Sequence, residues 1–229
     1  MPPISLDASF VPEEPVDPRG AEFFAQVSDL MDGRPKGSEA VEAVLSGWDG
    51  LLDKIAAELY RIGSMLLGEG EETIQLIERV VAGVDLPACK DHVEARHTSR
   101  LLLAAEAIAV LKRRDPGALA VSEEESGPVS CIEDDDLSAA GVTPAELEEM
   151  LSGSDRHRLR DWLEGLPVSL RVIFVLRAVA GLSSAEVAGV LAEHGGAKAQ
   201  DWTPEGVRSS FRQALCSLAT QLLQASAAR

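Results

Sequence analysis

Apolar side chains recur at three- and four-residue steps along most of this chain, the spacing that gathers them on one side of an α-helix. A first run starts near Ser38, and its apolar members are Trp48, Leu51, Leu52, Ile55, Leu59, Ile62 and Leu66. A second, shorter run follows and stops where Leu86-Pro87 interrupts the helical pattern. A third run covers residues 90–114. The pattern therefore predicts three amphipathic helices in the first half of the chain.

Two helix-start signals stand out in the C-terminal third. Ser183 and Glu186 form a capping box, in which the serine hydroxyl accepts a hydrogen bond from a free backbone N–H and the glutamate reaches back to the cap. Thr203 is followed by Pro204, which fits the first position of a helix because it has no N–H to leave unpaired. Two successive helices with these starts predict a helix-turn-helix.

The segment RVIFVLRAV, just before these signals, is rich in branched residues and resembles a buried strand. We favour a helix, because no turn signal interrupts the segment before Gly181 and its apolar residues keep helical spacing. Those residues are Val172, Val175, Leu176 and Val179. A further capping box at Thr143 and Glu146 starts a short helix that ends near Ser152. The predicted fold class is all-α.

Composition divides the chain into four parts. Residues 1–37 are rich in proline and are predicted to be a mostly flexible arm. Residues 38–114 form an N-terminal helical domain, and residues 143–229 form a C-terminal helix-turn-helix domain. Residues 115–142 are acidic and contain too few apolar side chains for a core of their own. The prediction is thus two small helical domains joined by an acidic linker.

Charge is distributed unevenly along the chain, whose net charge is −17. Residues 156–229 carry nine Lys and Arg against six Asp and Glu, a balance of +3, which leaves −20 for residues 1–155. Residues 117–155 contain eleven acids and no Lys or Arg, so we expect this segment not to contact DNA. The acidic linker, residues 115–142, is predicted to be a solvated tether, and the alternative is a mimic of DNA or a contact surface for a polymerase.

Targeting and membrane signals are missing from the pattern. No run of about 18 apolar residues occurs, and the N-terminal segment has prolines and acids where a signal peptide needs a basic and then an apolar region. The expectation is a soluble, cytoplasmic protein with no membrane partner. Cys89, Cys131 and Cys216 lie far apart without a CxxC spacing, so we expect buried thiols and neither a disulfide framework nor a zinc site.

Catalytic and metal-binding motifs are also weak. His92 and His97, with Glu94 between them, resemble a metal set, but a five-residue step places the histidines about 140° apart around a helix. There is no nucleophile elbow, and GEGEE lacks the strand and third glycine of a phosphate-binding turn. We therefore expect no enzyme activity, no metal and no cofactor.

The C-terminal domain resembles the extracytoplasmic-function sigma factors, small two-domain bacterial subunits that direct RNA polymerase to promoters. In that family a leucine-proline pair precedes an apolar helix, then GLSxxEIAxxL, a turn and tVksRLxRAr. The matching positions are Leu166-Pro167, Arg171, Phe174, Leu176-Arg177, Gly181-Leu182-Ser183, Glu186-Val187-Ala188, Leu191, Val207-Arg208-Ser209 and Ala214. The resemblance implies a sigma region 4-like domain here and, from order and apolar phase, a sigma region 2-like domain before it.

Two departures affect the implied DNA contact. Fifteen residues separate Leu191 from Val207, which is longer than the family spacing, and we expect a bulge anchored by Trp202. Where the family has further arginines, this chain has Ser210, Gln213 and Leu215. The residues that the resemblance places near DNA are Arg208, Ser209, Ser210, Arg212 and Gln213. Because few cations remain to displace counterions, binding to promoter DNA by this domain alone should be weak.

The N-terminal domain departs further from the family pattern. The helix that usually docks on the polymerase core corresponds here to IQLIERVV, whose polar members are Gln75, Glu78 and Arg79, and the resemblance implies that these three bind polymerase. No Phe, Tyr or Trp lies between Tyr60 and Trp162, so the aromatic side chains that hold unstacked bases during promoter opening are missing.

Three functions stay open at this point. The first is a divergent sigma factor that binds RNA polymerase core and promoter DNA. The second is a sigma-like regulatory protein that binds polymerase or an anti-sigma partner without opening promoters. The third is an unrelated helical DNA-binding regulator that dimerises through its N-terminal helices, which a molecular-mass measurement distinguishes because a two-fold operator reader is a dimer.

Overall fold

A computed structural model describes residues 38–85, 89–121, 131–153 and 156–227, with side chains from Asp53 to Gln224. The predicted arm and the Leu86-Pro87 break lie outside this part. All regular structure in it is helical, which confirms the predicted all-α class. The α-helices are α1 (Ser38–Leu67), α2 (Glu71–Gly83), α3 (His92–Arg114), α4 (Pro144–Ser152), α5 (Arg156–Gly165), α6 (Val168–Phe174), α7 (Ser184–His194) and α8 (Pro204–Ala227).

The predicted helix starts are confirmed at both capping boxes. Thr143 accepts a hydrogen bond from the Glu146 N–H while the Glu146 carboxylate accepts from the Thr143 N–H, and Ser183 and Glu186 repeat this arrangement at α7. Such a cap contributes about 0.5–2 kcal/mol, because it satisfies backbone donors that the first turn leaves free. Helix α8 begins at Pro204, as the Thr203-Pro204 signal predicts.

The segment that resembles a strand is helical throughout. Helix α6 continues into a π-helical turn, Val175–Val179, in which the Ala180 N–H donates to the Val175 carbonyl at 2.9 Å. Gly181 then adopts a left-handed conformation with φ of 68°, which favours glycine because it has no Cβ. The chain turns there, and Leu182 is fully buried directly after the turn.

The core of the compact unit Asp53–Arg229 is formed where α7 packs against α3 and α8, and where α6 packs against α8. Phe174 lies at its centre, with Trp162 edge-on at 4.9 Å and Phe211 at 6.0 Å between ring centroids. Burial of side chains of this size stabilises a fold by about 1.5–3 kcal/mol each relative to exposure. Helices α7 and α8 are therefore held by packing against several other helices.

Described residues of the acidic segment contact this core. Leu119 and Ile132 are buried, and a 3-10 helix at Leu137–Ala140 packs against α8. The division into domains at residues 115–142 stays a prediction; the described parts of that segment belong to the unit Asp53–Arg229. In the described part of the chain, no helix has the length and apolar character that a bilayer crossing requires.

Candidate nucleic-acid interface

Helix α7, the first of the two helices that are predicted to form a helix-turn-helix, is fixed at its start. The Ser183 hydroxyl and backbone N–H both donate to the Glu186 carboxylate, at 2.6 and 2.7 Å, and His97 of α3 lies 2.7 Å from the other carboxylate oxygen. These contacts lower the pKa of Glu186, the Ser183 hydroxyl being the main cause. His97 is thus part of a structural contact that links α3 to α7.

The connection between α7 and α8 is a packed bulge, as predicted. Trp202 is 5% exposed, and its indole N–H donates to the carbonyl of Leu119 at 2.9 Å. Gly196 has φ of 89°, and a Cβ there would lie 2.9 Å from a methylene carbon of Lys112. The bulge therefore needs both a left-handed glycine and an aromatic anchor to bring the chain to Pro204.

Helix α8 has a buried side and an outer side. The buried side consists of Val207, Ser210, Phe211, Ala214, Leu215 and Leu218. Arg208, Ser209, Arg212 and Gln213 are half-buried, so part of each side chain reaches the outer surface. The expectation that Ser210 approaches DNA is corrected, because Ser210 is 1% exposed. Its helical phase, three residues after Val207 and four before Ala214, was the signal for burial.

The two arginines of α8 share one carboxylate in the same helix. Arg208 donates through Nε and Nη2 to Glu205 Oε2 at 2.9 and 2.6 Å, and Arg212 Nη2 lies 3.5 Å from Glu205 Oε1. Arg208 is the main cause of a lowered pKa at Glu205, which is solvent-exposed. The spacing of three residues between Glu205 and Arg208 predicts this pair, although sequence reasoning missed it. Any phosphate must compete with Glu205 for both cations.

A short acidic segment lies against the same helix. We call residues 131–136, CIEDDD, the acidic strap. Arg212 Nη1 donates to the carbonyl of Glu133 at 3.2 Å, and Arg177 Nη2 lies 3.3 Å from a carboxylate oxygen of Asp135. Arg177 also stacks over Phe211 of α8, 5.1 Å from the ring centroid. The strap therefore covers part of the surface that α8 offers to a partner.

A disulfide joins the strap to α8, which corrects the expectation of buried thiols without a bridge. Cys131 and Cys216 are bonded, with their Cα atoms 5.8 Å apart, and 85 residues separate them in sequence. Cys131 is exposed and Cys216 is half-buried. Cys89 is a free, half-buried thiol. Spacing along the chain gave no sign of this pair, because only folding brings the two residues together.

The residues predicted to bind polymerase lie together on α2. Gln75, Glu78 and Arg79 are all exposed, while Leu76, Ile77 and Val80 face the core. Gln75 donates to Glu71 at 3.1 Å, and Arg79 lies 3.7 Å from a carboxylate oxygen of Glu106. The three side chains thus form a continuous polar surface that is available to a partner.

No protein-family model, curated protein or solved structure matches this chain. The chain itself provides a capped helix α7 followed by a helix α8 that carries two arginines on its outer side. Those arginines contact one glutamate of α8 and, through Arg212, one backbone carbonyl of the strap.

Proposed function

We propose that this chain is a divergent sigma-type transcription protein that binds DNA through the outer side of α8 and RNA polymerase core through α2. Helix α8 would enter a groove of the duplex, with Arg208, Ser209, Arg212 and Gln213 nearest to it. The reading of DNA by the second helix of such a motif is the usual geometry of helix-turn-helix proteins. The function is binding, with no catalytic step.

The observation that carries this proposal is the alignment of arginines on a well-anchored helix. Arg208 and Arg212 are four residues apart, so they share one side of α8, about 100° around the helix from the side that Val207 and Phe211 bury. A helix anchored by a packed aromatic core holds its outer side chains in a fixed register. Arginines in such a register suit phosphates, whose oxygens accept paired hydrogen bonds from a guanidinium group.

Binding by the isolated chain should be weak, because Glu205 holds both arginines. Neutralising that carboxylate by Glu205→Gln leaves the side-chain shape nearly unchanged and removes the competing charge. The Glu205→Gln variant should therefore bind duplex DNA more tightly than the native chain.

The proposed binding to DNA is tested by fluorescence anisotropy with a labelled duplex across a series of salt concentrations. Replacing Arg208 and Arg212 by Ala should flatten the slope of log K against log salt by about two, since each phosphate contact contributes about 0.9. The matched control replaces Arg156 and Arg158, two exposed arginines of α5, by Ala and should leave the slope unchanged. Equal effects of the two changes would refute a specific role for α8.

The proposed binding to polymerase is tested by co-elution of the chain with core polymerase and by transcription from a library of promoter fragments. Replacing Gln75, Glu78 and Arg79 by Ala should abolish co-elution if α2 is the docking surface. The control replaces Asp53 and Lys54 of α1 by Ala; both are exposed, and this change likewise removes one acid and one base. Co-elution that survives the α2 change, or is lost equally in the control, would contradict docking through α2.

The second candidate is a sigma-like regulatory protein that holds polymerase or an anti-sigma partner without opening promoters. It is favoured by the lack of Phe, Tyr and Trp between Tyr60 and Trp162, since opening needs stacking partners for unpaired bases. Co-elution with polymerase but no transcript from any fragment would support this candidate over the first. A dimeric mass in solution would instead support an unrelated operator-binding regulator.

A further inference from the structure

The disulfide is attached at the same side of α8 as the two arginines. Cys216 follows Arg212 by four residues, and Arg212 follows Arg208 by four. Residues at such steps lie in one row along a helix, displaced by about 40° at each step. The bond from Cys131 therefore brings the acidic strap onto the row of side chains that the proposed function assigns to DNA.

The acidic strap is negatively charged, as DNA is. Glu133, Asp134, Asp135 and Asp136 are consecutive, and three of the four are exposed. Bound duplex would bring phosphates close to these carboxylates, and like charges at short range repel one another. The carbonyl of Glu133 also accepts a hydrogen bond from Arg212, which a phosphate oxygen would have to replace. A strap held in this position opposes the approach of DNA to α8.

The disulfide is the strongest of the contacts described between the strap and the rest of the chain. Ile132 is buried, and Asp135 pairs with Arg177 across 3.3 Å at a partly exposed position. Ion pairs of that kind contribute little in water. Breaking the bond removes the covalent link between the strap and α8, and leaves the strap held by noncovalent contacts alone.

The chemistry of the cysteines fits a reversible bond. A protein that acts on DNA works in compartments where thiols are kept reduced, and disulfides formed there are usually transient and redox-sensing. Three cysteines in 229 residues are also too few for a disulfide scaffold. Cys131 is exposed, so a thiolate from solution can reach its sulfur.

We propose that the Cys131–Cys216 disulfide is a redox lock that keeps the acidic strap on α8, and that its reduction by a dithiol releases the strap and frees α8 for DNA. A reductant thiolate attacks the Cys131 sulfur, the S–S bond breaks, and Cys216 leaves as a thiolate that takes up a proton. The second thiol of the reductant then displaces Cys131, which also becomes a thiol. Two electrons and two protons pass to the protein, and the reductant becomes a cyclic disulfide.

This lock rests on the proposed function for its effect on DNA, but the opening of the strap is measurable without DNA. The oxidised and dithiothreitol-reduced full-length chains are treated with a glutamate-specific protease, and cleavage after Glu133 is followed by mass spectrometry. Reduction should raise the rate of this cleavage. Cys89→Ser is the matched control and should keep the response, because Cys89 is free. Cys131→Ser and Cys216→Ser should be cleaved rapidly under both conditions.

DNA binding is measured on the same samples with a labelled duplex. Reduction should tighten binding on the order of tenfold at low salt and steepen the salt slope by about one, because it frees Arg212 from the carbonyl of Glu133. A variant with the four strap acids changed to Gln or Asn keeps the disulfide and should bind tightly even when oxidised. That variant separates the charge of the strap from any effect of losing the bond on folding.

The outcomes distinguish the lock from the function on which it rests. If reduction alters neither the rate of cleavage after Glu133 nor the affinity for DNA, the lock is overturned. The proposed function still stands in that case if both forms bind DNA equally. If reduction speeds cleavage while neither form binds DNA, alone or with core polymerase, the proposed function fails and the claim that the lock controls DNA binding fails with it.

Discussion

Trp202 offers the sharpest test of how the long connection before α8 is held. Its indole N–H donates to the Leu119 carbonyl at 2.9 Å, across 83 residues of sequence, and both residues are buried. Trp202→Phe keeps an aromatic ring but removes this donor. The Leu119 carbonyl would then be buried without its partner.

The expected cost has two parts. An unsatisfied buried acceptor destabilises by about 1–3 kcal/mol, and the smaller ring leaves a cavity that adds roughly 1 kcal/mol. For a chain of this length each kcal/mol lowers the melting temperature by about 2–4 °C. We therefore expect the melting temperature, measured by far-ultraviolet circular dichroism on heating, to fall by roughly 4–16 °C.

Trp162→Phe is the matched control, because it makes the same change of ring at a position that is 9% exposed. The Trp162 N–H donates to the Ser217 hydroxyl at 3.0 Å, and Ser217 is half-buried. That hydroxyl can rotate toward water, so its loss should cost about 0.5–1.5 kcal/mol. If Trp162→Phe destabilised the chain as much as Trp202→Phe, the anchoring role of the Trp202 hydrogen bond would be refuted.

Three further changes test the contacts that hold α7 and the connection between α7 and α8. Ser183→Ala should destabilise the chain by about 1 kcal/mol in urea unfolding, and Thr143→Ala is the control with the same motif on an exposed helix. Gly196→Ala should destabilise because of its positive φ and the nearby Lys112, whereas Gly189→Ala, with open space around it, should be neutral or stabilising by up to about 1 kcal/mol. The pKa of Glu186 is lowered, so its contribution is present above its usual 4.5 and is lost as pH falls below that value; Glu186→Gln should remove this part of the acid sensitivity of unfolding.

The helix starts were predictable because they depend on neighbouring residues. Each capping box needs only a hydroxyl and a carboxylate three positions apart, and both boxes are confirmed. The rejection of a strand at Val172–Val179 was correct for the same reason, since helical spacing is a local property. The π-helical turn at Val175–Val179 carried no such signal.

The candidate site was predictable only in part. Helical phase places Arg208 and Arg212 on the outer side of α8, and the same phase, fully applied, places Ser210 inside. Glu205 could have been found from its spacing to Arg208. The contact of Arg212 with Glu133 could not, because the two residues are 79 positions apart in the sequence.

The sequence by itself determined the helical class, the caps and the apolar side of each helix, since these follow from side chains a few positions apart. Only the tertiary structure decided that Cys131 meets Cys216, that Trp202 meets Leu119 and that an acidic strap lies on α8. Contacts of this kind join segments about 80 residues apart, and their pairing depends on how the helices pack against one another. No periodicity along a single chain encodes that packing.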